Sequence, residues 1–265
     1  MLGKLLHYRS LSAMKFLLPL YGAMTILTGL NIGFFYLLPK GTDFNLPVIL
    51  FIIFNALYVL GMVAVCLITF CLFLVQFYQN LFSNQGYLTH TLPVSAGSKL
   101  AAHLITAVFW LTVGLVLVCL LGTLFLFSID PGHSRTLVQS VLRAFRTGLA
   151  PFRGILLLLI PLYFLGASVI YLRFFTAMTV GASLGGGRHK LLYAIPVYIV
   201  IFILRNLLGL ATVVLPLSRL AGTDITAQGF LASGTLLIPI FLYLFAAFAI
   251  HWIIITFFMK HRLNL

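Results

Sequence analysis

"PVILFIIFNALYVLGMVAVCLITFCLFLVQF", residues 47–77, runs through thirty-one positions without a charged side chain. A spanning helix needs about 20 predominantly apolar residues, so this stretch crosses a bilayer with length left for tilt or for extension beyond it. Five more segments meet the same test: Phe16–Leu38, Leu100–Phe127, Gly154–Leu172, Leu191–Leu217 and Leu231–Met259. None alternates polar with apolar over short runs, which argues against a β-barrel. Apolar residues make up 62% of the 265 positions and charged residues 7%, against about 25% charged in soluble domains. A soluble fold of this length could not hide so much apolar surface. The expectation is an all-α polytopic membrane protein, one transmembrane domain over residues 1–265 with six transmembrane helices.

An even number of spans puts both termini on one side. Placing the N- and C-termini in the cytoplasm leaves nine cations inside: Lys4, Arg9, Lys15, Lys99, Arg173, Arg188, Lys190, Lys260 and Arg262. Six fall outside: Lys40, Arg135, Arg143, Arg146, Arg153 and Arg219. Positive residues concentrate on the cytoplasmic side, so this orientation is preferred. It leaves all three acids, Asp43, Asp130 and Asp224, outside. The net charge of +13 then reflects topology and anionic headgroups rather than nucleic acid. The N-terminal apolar run is too long for a signal-peptide core and is expected to be a retained first span.

Short interfacial helices accompany the spans. Leu2, Leu5 and Leu6 beside Lys4, His7 and Arg9 fit one before the first span. An external amphipathic helix is expected over 134–149, where Leu137, Val138, Val141, Leu142, Phe145 and Leu149 recur at helical spacing. Arg135, Gln139, Arg143 and Arg146 lie opposite them. Asp130-Pro131-Gly132 turns into this helix, and Ser134 suits its N-cap.

Several chemistries are disfavoured. No Asp or Glu lies in any span, whereas proton-coupled carriers tend to hold a carboxylate at depth. The seven histidines are scattered, without an HExxH arrangement. Cys66, Cys71 and Cys119 lie inside apolar runs and show no metal or disulfide spacing. "GGGRHK", residues 185–190, lacks the GxxxxGK[ST] pattern and leads straight into a span. It is read as a turn flanked by topology-setting cations. The chain is therefore expected to have no catalytic, metal-binding or cofactor-binding residues of its own.

The segment between the second and third spans, 78–99, differs in character. Phe77-Tyr78-Gln79-Asn80 is expected to carry the second helix out of the bilayer. Gly86 permits a sharp turn, Tyr87, Leu88 and Leu92 offer apolar knobs, Pro93 ends the segment and Ser95 can cap the third helix. A short capped element with protruding aromatic and apolar side chains suits a docking surface.

"FYQNLFSNQGYLTHTLPVSAGSKL", residues 77–100, resembles the cytoplasmic loop of Firmicutes-type ABC transporter permeases of the type-2 exporter class. Those commonly carry Gly-Tyr-Leu followed by Thr-Leu-Pro-Val-Ser, matched here by Gly86, Tyr87, Leu88, Thr91, Leu92, Pro93, Val94 and Ser95. The ending "FFMKHRLNL" is similar to that group's basic tail at Lys260, Arg262, Leu263, Asn264 and Leu265. The family places acidic or amide residues just before Gly-Tyr-Leu; here they are the uncharged Asn84 and Gln85.

The resemblance implies a multi-pass permease subunit in a bacterial plasma membrane. Its partners would be a second permease subunit, identical or related, and separate nucleotide-binding ATPase subunits that bind the ATP and Mg. Asn84, Gln85, Gly86, Tyr87, Leu88, Thr89, His90, Thr91, Leu92 and Pro93 would form the coupling helix seated in a groove of the ATPase. The substrate class, whether peptide, antibiotic or lipid-like, stays open.

Arg205 follows Lys190 by fifteen residues, about 22 Å along an ideal helix, inside a hydrocarbon core of about 30 Å. It either snorkels to the outer leaflet or holds an anionic headgroup or substrate. Arg135, Arg143 and Arg146 offer the same pair of readings at the outer surface, as interfacial anchors or as contacts to anionic lipid or substrate. Asn31, Asn55, His103 and His251 are expected to face other helices rather than lipid. Pro161, Pro196 and Pro239 are expected to kink their helices. Besides the exporter permease, a self-sufficient carrier or channel and a membrane scaffold or sensor fit the same composition.

Overall fold

The computed structural model describes residues 2–37, 46–82, 94–129, 136, 139–140, 153–185, 190–220 and 237–261. Six long helices account for nearly all of them. They are α1 Leu2–Leu37, α2 Leu46–Phe82, α3 Ala96–Ile129, α4 Arg153–Leu184, α5 Lys190–Leu220 and α6 Leu237–His261. Each is long and apolar enough to cross a membrane, and no strand occurs among the described residues. The protein is a six-helix polytopic fold of membrane-spanning dimensions. Helices satisfy their backbone groups internally, which is what a lipid solvent demands. Their polar side chains follow the same rule. Thr25, Thr28, Thr69, Thr112, Ser168, Thr176, Thr179 and Thr256 each donate a hydroxyl to the carbonyl four residues back, at 2.7–2.9 Å.

The boundaries extend the expected ones in three places. The N-terminal residues join α1 as one helix from Leu2 instead of forming a separate interfacial piece. The second helix continues to Phe82, as Phe77-Tyr78-Gln79-Asn80 predicts. The fourth runs to Leu184 rather than stopping at Leu172, because Phe174, Phe175, Ala177, Met178 and Val180 keep it apolar beyond Arg173. Pro161 lies inside α4. Pro239 instead occupies the first turn of α6, where the missing N–H has no intrahelical partner to lose. Of the expected 134–149 helix, Thr136, Gln139 and Ser140 are helical and exposed; the remainder lies outside the described residues.

The chain divides into two compact units, one made of Met1–Phe73 with Ile105–Thr147 and the other of Leu74–Leu104 with Gly148–Leu265. In the first unit α1 presents a buried stripe at Ala13, Leu17, Tyr21, Met24, Thr28 and Asn31, spaced three and four residues apart as one helix face requires. Two tyrosines cross-link its helices. The Tyr21 hydroxyl meets Thr69 Oγ1 of α2 at 3.3 Å and donates to the Trp110 carbonyl of α3 at 3.2 Å. Tyr58 of α2 accepts from Thr28 of α1 at 3.3 Å and donates to the Leu121 carbonyl of α3 at 3.2 Å. Between helices with no hydrophobic drive to associate in lipid, such bonds average about 0.6 kcal/mol each.

Gly114 makes the first of these links possible, since a Cβ there would stand 2.8 Å from the Tyr21 hydroxyl. Tyr21 is buried, and moving its hydroxyl away breaks its contacts with Thr69 and the Trp110 carbonyl. Gly114→Ala is therefore expected to destabilise the fold by about 1–3 kcal/mol. Adding Tyr21→Phe should recover part of the loss, because the nearest remaining ring atom is 3.5 Å away. Unfolding in mixed detergent–SDS micelles, followed by helical circular dichroism, measures both variants.

The second unit is centred on α4, whose Ala167, Val169, Tyr171, Leu172, Phe175, Thr176, Ala177, Thr179 and Ala182 are all buried. From Tyr171 to Ala182 no residue of α4 is exposed, which marks a stretch surrounded by other helices, whereas Leu159, Ile160, Phe164 and Ile170 nearer its start are exposed. Val169 packs with Leu244 and Ala247 of α6, flanked by Leu162, Leu165, Ile240, Tyr243 and Phe248. Phe174 stacks on Tyr198 of α5 with ring centroids 4.5 Å apart. Helix α5 instead turns a broad apolar face outward, with Leu204, Leu207 and Leu208 more than half exposed.

Candidate functional site

The expected docking residues Asn84–Pro93 lie outside the described residues, but both of their flanks are described. On the incoming side the end of α2 buries Phe77, Leu81 and Phe82. The Phe77 ring lies flat on Phe175 of α4, centroids 3.8 Å apart and planes 8° from parallel. The His103 ring of α3 meets Phe77 edge-on at 5.2 Å, and Tyr171 closes on Phe175 at 6.0 Å. Three helices thus converge on one aromatic cluster.

On the outgoing side Ser95 performs the expected cap. Its Oγ accepts the Ser98 N–H at 3.3 Å and pairs with the Ser98 hydroxyl at 2.8 Å. Its carbonyl accepts from the Lys99 N–H at 3.1 Å. Capping an orphan N–H contributes about 1 kcal/mol, so Ser95→Ala should loosen the first turn of α3 by that amount. Faster amide exchange at Ser98, with the rest of α3 unchanged, is the expected signature. Gly97 brings the same turn against α6, where Trp252 Cζ2 lies 4.0 Å from the position a Cβ would take. Lys99 and Leu100 are buried behind it. The incoming stem of the 84–93 segment is therefore packed onto α4, and the outgoing stem passes close to Trp252 of α6, within one compact unit.

The arginines fall apart into two groups. Arg135, Arg143 and Arg146 lie outside the described residues. Arg205 is half-buried on α5, and Tyr243 of α6 donates to its backbone carbonyl at 2.9 Å. It shares electrostatic range with two groups that the sequence did not bring to it. One is Arg173 of α4, which also lies near Tyr198 and Tyr243. The other is His251 of α6, which interacts with both arginines.

Arg173 was expected at a cytoplasmic helix end, yet it is 7% exposed and eleven residues before Leu184, about 16 Å along the helix. Its Nε is buried without a hydrogen-bond partner. Placing an arginine at such depth costs about 2.5–3.5 kcal/mol on insertion scales. The signal available in the sequence was the apolar run after it, which keeps the helix going. His251 is 9% exposed, facing inward as its polarity predicts. Its Nδ1 is 2.7 Å from the Ala247 carbonyl, while Nε2 is buried without a partner. Asn31 and His103 are likewise buried. Among the described residues there is no Asp or Glu, and no three His, Cys, Asp or Glu side chains come together as a metal site.

Compared with family models, curated proteins and solved structures, the chain matches none of them.

Proposed function

We propose that the chain is the membrane-spanning permease subunit of an ATP-driven exporter, in which a separate nucleotide-binding subunit supplies the energy. The observation that carries this reading is the packing of the incoming stem of the 84–93 segment, Phe77 onto α4, with the outgoing stem at Gly97 close to Trp252 of α6. A segment held this way at its stems transmits force rather than absorbing it, because close-packed interiors pass displacement from ring to ring. In this mechanism closure of the ATPase dimer on ATP and Mg pulls Tyr87, Leu88 and Leu92, and the stems hand the movement to α4 and α6. Those helices then rock between inward- and outward-facing states. Two permease subunits and two ATPase subunits would make the working assembly, seated in a bacterial plasma membrane with the loop in the cytoplasm.

The test is affinity purification of the tagged chain from native membranes in mild detergent. A nucleotide-binding subunit with a Walker A motif should co-purify with it. The pair Tyr87→Ala and Leu88→Ala should abolish that association while leaving helical content and size-exclusion behaviour unchanged. Transport that proceeds with no such subunit bound would assign the chain to self-sufficient carriers instead.

A further inference from the structure

Arg173, Arg205 and His251 come from three different helices of the second unit and lie within electrostatic range of one another. The packing register explains why. Val169 meets Ala247 across the α4–α6 contact, and Arg173 and His251 each follow by four residues, one turn on along the same faces. Helix α5 lays Tyr198 on Phe174, next to Arg173, and ties its Arg205 carbonyl to Tyr243. The two guanidiniums repel each other, and a buried one such as Arg173 is stable only when compensated. No carboxylate among the described residues does this. Two of the three present a buried nitrogen with no protein partner, Arg173 Nε and His251 Nε2. Both residues are more than nine-tenths buried.

We propose that Arg173, Arg205 and His251 form an intramembrane binding site for the phosphate oxyanion of an anionic amphiphile. The chemistry follows from the groups. A guanidinium presents its N–H donors as a planar fork matched to phosphate. Two arginines carry a fixed double positive charge, which balances a phosphomonoester dianion. His251, whose Nδ1–H is given to the Ala247 carbonyl, adds Nε2–H as a third donor in its protonated form, which a bound dianion favours. The acyl chains have a place as well. Arg205 is half-buried, and around it on α5 Leu204, Leu207 and Leu208 turn outward, more than half exposed. A headgroup can thus meet Arg205, with Arg173 in electrostatic range of it, while its tails remain on an apolar surface. The site needs no second subunit and no ATPase, so it is tested separately from the transport reading.

The chain is reconstituted in phosphatidylcholine nanodiscs, and native mass spectrometry measures binding of three probes: dioctanoyl phosphatidic acid, dioctanoyl phosphatidylcholine and inorganic phosphate. Phosphatidic acid is expected to bind at least tenfold more tightly than phosphatidylcholine, with inorganic phosphate failing to displace it at equal concentration. Arg173→Gln should erase the preference for the anionic lipid, and Arg173→Lys, which keeps the charge but not the fork, should retain part of it. Should Arg173→Gln not fold, Arg205→Gln and His251→Gln carry the test, each expected to weaken phosphatidic acid binding about fivefold or more. Equal affinity for the two lipids overturns the proposal, as does phosphatidic acid binding unchanged in every folded variant. Displacement by equimolar inorganic phosphate would overturn the amphiphile and assign the site to free phosphate.

Discussion

Replacing Phe77 by alanine is expected to cost about 3–5 kcal/mol, the range for emptying a buried aromatic site. The ring is fully buried, lies on Phe175 at 3.8 Å, and is met edge-on by His103 at 5.2 Å and by Phe82 at 6.0 Å. None of those neighbours can refill the space without leaving its own contact. Phe77→Leu keeps most of the apolar volume without the flat face, and volume-conserving apolar swaps cost less than about 1.5 kcal/mol, so it should lose much less. The two variants separate packing from coupling. If Phe77 conveys movement from the 84–93 segment to α4, Phe77→Leu should fold and retain the nucleotide-binding subunit while that subunit's ATP turnover in the complex changes from the wild-type rate. Mixed-micelle unfolding gives the first quantity, and ATP turnover in nanodiscs gives the second.

Gly181→Val should be about as damaging for a different reason. A Cβ at this position would lie 2.6 Å from both the Cα and the backbone N of Ala194, and 3.0 Å from its Cβ. Helices α4 and α5 therefore meet backbone to backbone, the close approach that small residues permit inside membranes. Here the obstacle is main chain, so no rotamer change relieves it and the helices must separate. About 3 kcal/mol is expected. Ala194→Gly should not rescue it, in contrast to the partial rescue that Tyr21→Phe should give Gly114→Ala. Separation of α4 from α5 would also unstack Phe174 from Tyr198 and spread Arg173 from Arg205. The same variant is thus expected to lose the preference for phosphatidic acid.

The six helices were legible because lipid leaves only one arrangement for long uncharged runs. Residues 47–77 could be read directly as a helix in a membrane, and α2 at Leu46–Phe82 agrees. Ser95 was legible as a cap because hydroxyl residues at helix starts have one dominant use, and its bond to the Ser98 N–H is that use. Arg173 was not. A charge between apolar segments ordinarily marks a boundary, and only the packing of α4 at the centre of its unit shows that this one is interior. Removing it takes one cation from the nine counted on the cytoplasmic side. The meeting of Arg173, Arg205 and His251 was equally hidden, because it depends on the registers of α4 against α5 and α6, which no local pattern encodes. Gly181 and Gly114 resembled the chain's other glycines until Ala194 and Tyr21 were found against them.

The central claim is that residues 84–93 form the handle by which an ATPase moves this chain. The most direct measurement is the dissociation constant between the nucleotide-binding subunit identified by co-purification and the nanodisc-held chain, compared between wild type and Leu88→Ala. Truncating an interface residue that carries binding energy costs about 1 kcal/mol or more, which is roughly a fivefold weakening. The account predicts that loss, with ATP turnover by the mixture falling in parallel and helical content unchanged. An unchanged dissociation constant together with unchanged turnover would contradict it.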